Sequence, residues 1–174
     1  MGYCRENLPE RMVKLIFKRE ALLYDIENCS FIEGDIMMAD EHTRHQVYDI
    51  GQEGNIDRVS RILDLAYSEC VEMLYPYTKE RIADGQEALN NVLNPPEEYT
   101  IELTLPDGFS VTTLNLLKKL IHEYLVCRVL ADWMSITNRD SQANWENKMQ
   151  DLKFHIKTSL VSRKGKICRK LKPF

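Results

Sequence analysis

The longest periodic run in the chain lies at 110–137. Leu114, Leu117, Leu120, Ile121, Tyr124, Leu125, Val129, Leu130, Trp133 and Met134 recur at steps of three and four, the spacing of a helix with a wide buried face. Beyond Tyr124 the run is apolar nearly all round, interrupted only by Arg128 and Asp132. These two stand four apart on one helical face, where opposite charges meet, so they are read as a buried ion pair, with Glu69 or Glu72 of the neighbouring helix as an extra partner. A helix apolar on most sides needs other elements around it, and Trp133 and Trp145 are expected in the packing between helices.

The flanking patterns supply those elements. Residues 12–18 (MVKLIFK) alternate at Val13, Leu15 and Phe17 and predict a strand. A helix follows over 20–29. Residues 30–38 are ambiguous because Gly34 interrupts them, and Asp40-Glu41 opens another helix that Gly51 ends. Asn55 is expected to cap an amphipathic helix over 56–75, with Val59, Leu63, Ala66 and Cys70 inward, and Pro76 to stop it. An extended piece is expected at 77–82 and a weak helix at 86–94. YTIELTL at 99–105 alternates as a half-buried strand. Ser110 is expected to cap the central helix, and Ser141 a last helix over 142–162 carrying Trp145, Met149, Leu152, Ile156 and Leu160.

The sum is a mainly α fold, a helical bundle with a small antiparallel β-sheet of two or three short strands at one end. Residues 1–11 read as a flexible N-terminus, 12–162 as one α-rich domain and 163–174 as a basic C-terminal tail. A chain of 174 residues suits one domain.

Charge divides the chain. From 20 to 110 there are 20 acidic and 5 basic residues; from 148 onward there are 9 basic residues and one acidic, Asp151. Arg163, Lys164, Lys166, Arg169, Lys170 and Lys172 form the tail's candidate contact set, facing a neighbouring subunit or nucleic acid, with a solvated tail as the plain alternative. No aromatic is interleaved among them, which argues against base stacking.

Other chemistry is thin. His42 and His45 stand three apart on one probable helix, but no third ligand accompanies them, and an acidic helix start explains the cluster as well. Five widely spaced cysteines include no CxxC pair, so no zinc site or disulfide framework is expected and a reducing compartment fits. No Gly-rich phosphate loop or nucleophile elbow occurs. No catalytic residue, metal or cofactor is assigned. No stretch reaches the length of a membrane span, and no apolar segment follows Met1, so the expectation is a cytoplasmic protein without a membrane partner.

HEYLVCRVLADWMSITNRDSQANWENKMQDLKFHIKTSLVSRKG at 122–165, followed by the basic tail, resembles small helical proteins of the head–tail connector or neck type from tailed phages and prophages. ILDLAYSECVEMLYPYT at 62–78 is similar to an earlier bundle helix of such proteins. The resemblance implies a non-enzymatic assembly protein of the virion, partnered by copies of itself or by other virion proteins. The alternative is a small helical protein that binds nucleic acid through its tail. A metal protein built on His42 and His45 is a third reading.

Overall fold

A computed structural model describes residues 10–75, 77–78 and 95–161. The expected extended piece at 77–82 and weak helix at 86–94 lie largely or wholly outside these residues, as does the tail.

The order is β1 (Glu10–Lys18), α1 (Arg19–Ile36), α2 (Glu41–Tyr48), a 3-10 turn (Asp49–Gly51), α3 (Glu53–Met73), β2 (Glu98–Pro106), α4 (Val111–Thr137) and α5 (Arg139–Val161). The fold is mainly α with a small antiparallel sheet, as the periodicities predict. β1 and β2 pair without a bulge from Glu10↔Pro106 to Lys18↔Glu98. This register stacks Leu15 on Ile101 and Phe17 on Tyr99, all buried. It also sets Lys14 against Glu102 on the other face, where they form an ion pair at 2.8 Å. The period of two makes the sheet one-sided, and its apolar side joins the helical core.

α4 is the central helix. Its 27 residues make a rod of about 40 Å. Leu117, Ile121, Leu125, Leu130 and Met134 are fully buried, and α1, α3 and α5 all pack against it. α5 returns antiparallel after a single-residue break at Asn138. Among the described residues no helix is long and apolar enough to cross a membrane.

Several boundaries differ from expectation. Glu10 and Arg11 belong to β1, and Arg11 donates to the Phe109 carbonyl at 3.2 Å; this contact, 98 residues away, orders a segment whose local polarity reads as loose. α1 runs through Gly34 to Ile36. The glycine is there because a Cβ would lie 2.4 Å from the Tyr48 ring, so it lets α2 approach α1. α3 begins at Glu53 rather than after Asn55, whose side chain instead donates to the Asp49 carbonyl at 2.7 Å. Asn138, not Ser141, starts α5: its carbonyl accepts from the Ser141 and Gln142 amides, both at 3.2 Å. Ser141 is drawn away by Glu33 of α1, to which it donates at 2.6 Å. Ser110 precedes α4 as expected, but its hydroxyl meets the Thr112 hydroxyl at 2.7 Å and makes no side-chain cap.

Candidate functional site

Arg128 and Asp132 lie in the α3–α4 seam, and each finds its partner on α3 rather than in the other. Arg128 Nε donates to Glu69 Oε1 at 3.5 Å, while Arg58 Nε and Nη2 donate to Asp132 Oδ2 at 2.9 and 2.7 Å. The expected i,i+4 pair is thus corrected to two cross-helix pairs. The reason is geometric: a neighbouring helix offers each charge a partner at its own height, while an intrahelical pair must bend two side chains along the surface. Neither charge is buried; their side chains keep 25% and 26% exposure. Glu69 also accepts the Tyr124 hydroxyl. Burial foremost, then this hydrogen bond to a carboxylate, pushes the Tyr124 phenol up. The seam is a network that ties two helices together.

His42 and His45 are exposed on α2. His42 meets Gln46 at 3.4 Å and His45 lies 3.9 Å from Glu41. Among the described residues no three His, Cys, Asp or Glu side chains are grouped to hold a metal ion. Among the described thiols, buried Cys70 and Cys127 are poorly disposed to react. Burial pushes Cys127 up to about 11, and raises Cys70 and Cys29 as well. Trp133 is buried and donates to the Val47 carbonyl at 3.0 Å; Trp145 is half-buried and donates to Glu33 at 3.1 Å. Arg163, Lys164, Lys166, Arg169, Lys170 and Lys172 lie outside the described residues.

Two surface features stand out among the described residues. The first is apolar. At about 100° per residue, Tyr24, Phe31, Ile32 and Ile36 share the outward side of α1, and Met38 continues it past the helix end. Phe31 is 58% exposed and Ile36 69%, although Phe31 stacks on Tyr48 at 5.1 Å between centroids. The second is a cleft of about 710 Å³ between β1 and the first half of α4. Ile16 and Phe17 contribute its apolar wall, and Lys18, Lys118 and Lys119 its charge. His122 at its side is held by Asp25 of α1 at 2.6 Å.

Neither feature is visible in linear order. Lys118-Lys119 stands out as a charged pair inside an apolar helix, which is the one local signal; its juxtaposition with Lys18, a hundred residues earlier, depends on the strand pairing. The apolar side of α1 is hidden in sequence because its inward residues Leu22 and Ile26 are equally apolar. No protein-family model, characterised protein or solved structure matches this chain.

Proposed function

We propose that this chain is a non-enzymatic assembly protein that associates with copies of itself or docks into a larger complex, with a virion neck as the setting that the resemblance of 122–165 implies. The observation that supports the reading is the apolar outer side of α1. Four large side chains on the outward side of one helix, with Met38 beyond them and exposed Asn28 and Asp35 among them, make an apolar-rich surface of the kind that marks protein–protein contact. The helix bearing the patch is anchored by Leu22, Ile26 and Ser30 in the core and by the Glu33 bonds to α5, so the patch is presented on a rigid element rather than on a loop.

Sedimentation velocity across a concentration series tests this. The expected outcome is reversible association that a Phe31→Ser/Ile36→Ser variant loses while keeping its helical circular dichroism. A monomer at every concentration, unchanged by the variant and by candidate partners, removes the support for the reading.

The strongly basic composition of 163–174 favours a second reading, contact with nucleic acid through the tail. Truncation after Ser162 separates the two. Loss of DNA binding, with log affinity falling linearly against log salt in the intact protein, supports the second. Self-association that survives the truncation supports the first.

A further inference from the structure

The two edges of the β1–β2 sheet are treated differently by the fold. The outer edge of β2 is covered: Tyr67 donates its hydroxyl to the Thr100 carbonyl at 2.8 Å, and the Thr104 amide donates to the Tyr77 carbonyl at 2.9 Å. Among the described residues the outer edge of β1 has no such cover. In an antiparallel pair every second residue turns its N–H and C=O away from the partner strand. For residues 12–17 no backbone bond other than the β2 ladder is made among the described residues. An open strand edge is a template for another strand, and folds usually blunt it with proline, a bulge or a covering element. β1 is nine residues long and has neither proline nor bulge.

The cleft lies at the C-terminal end of this strand and reaches its open edge at Ile16. Its walls are Ile16, Phe17 and Lys18 on β1 and the outward side chains of α4 around Lys118, Lys119 and His122. A groove between an unpaired strand edge and a helix is the geometry in which an extended peptide adds to a sheet, with the backbone bonds supplying affinity and the helix-side pocket reading alternate side chains. The charge at the cleft states what those side chains are. Lys14 is already paired with Glu102, but Lys18, Lys118 and Lys119 are exposed and meet no carboxylate within ion-pair distance among the described residues. Glu98 is the single acid of the lining, facing Lys18 across the register. His122 adds a hydrogen-bonding ring already oriented by Asp25.

We propose that β1 accepts an extended acidic segment of a partner protein as a third strand, laid in the cleft between β1 and α4. Alternate residues of that segment rest on Ile16, and its carboxylates meet Lys118 and Lys119. This surface is separate from the apolar side of α1, so either can fail without the other.

The probe is a fluorescein-labelled peptide of alternating glutamate and valine, matched in length to β1 and followed by fluorescence anisotropy. Three controls accompany it: the same peptide N-methylated at alternate residues, a lysine–valine peptide, and the Lys118→Glu/Lys119→Glu variant, whose fold is checked by its thermal melt. Saturable binding of the acidic peptide is expected, weakened about tenfold or more in the variant, as reversal of complementary rim charges implies, and lost on N-methylation because the strand bonds cannot form. Absence of saturation, equal binding of the N-methylated or lysine–valine peptide, or an unchanged affinity in the variant overturns the proposal. So does a dimer of the protein that the peptide fails to dissociate, since that places a second copy on the edge.

Discussion

The Val47 carbonyl joins three helices, and a double-mutant cycle measures what that is worth. Val47 sits in the last turn of α2, where carbonyls have no intrahelical partner. It is fully buried and accepts two bonds, from the Ser30 hydroxyl of α1 and from the Trp133 indole of α4 at 3.0 Å. Ser30→Ala removes one donor and leaves the other, so its cost is that of one net hydrogen bond, about 0.5–1.5 kcal/mol. Trp133→Phe does the same and adds a void, for about 1–3 kcal/mol in all. Together they leave a buried carbonyl with no donor, and an orphaned group of that kind costs about 1–3 kcal/mol beyond the bonds themselves. The double variant is therefore expected to lose about 1–2 kcal/mol more than the sum of the singles, within the range seen for residues sharing a partner. Urea unfolding of the four proteins, with a common m value, gives the coupling directly. Additivity within about 0.5 kcal/mol refutes the reasoning, because it means that water or a relaxed backbone satisfies Val47 once both donors are gone.

Other expectations follow from single contacts. Trp133→Ala is expected to cost about 3–5 kcal/mol in urea unfolding; a loss under about 1 kcal/mol places the ring at the surface. Gly34→Ala should destabilise by about 1–3 kcal/mol through its clash with Tyr48, and in a Tyr48→Ala background turn stabilising by up to about 1 kcal/mol, since alanine is the better helix former. Cys127 has an ordinary value of 9.0 that burial pushes up to about 11. The unfolded thiol ionises first, so this contribution is complete below about pH 9 and is lost as the pH rises through about 11; urea midpoints over that interval should fall less steeply in Cys127→Ala. Thiol labelling of the native protein should modify half-buried Cys29 while sparing buried Cys70 and Cys127 until denaturant is added.

How much of this was legible beforehand divides along a physical line. Hydrophobic period is a local property, and it determined the elements: the strands at 12–18 and 99–105, the central helix from Ser110, the last amphipathic helix and the mainly α class all follow from steps of two, three and four residues. It also marked Leu117, Ile121, Trp133 and Ile156 as core. Helix ends were less legible, because a cap depends on which side chain is free to turn inward. Ser141 satisfies the local rule at the start of α5, yet Glu33 claims its hydroxyl and Asn138 takes the position. Gly34 reads as a break until Tyr48 is placed against it. The partners of charged residues were legible only in part: Glu69 could be named as a partner from the neighbouring helix, but Arg58 could not. Arg128 and Asp132 look like each other's partners along one helix, and they pair with Glu69 and Arg58 because α3 crosses there. The same holds for the surfaces that carry the functional proposals. Periodicity states which side of a segment is apolar, but only packing decides whether that side is covered. The outward residues of α1 and the open edge of β1 are exposed because no other described element reaches them, and the spacing of residues within a segment carries no record of that.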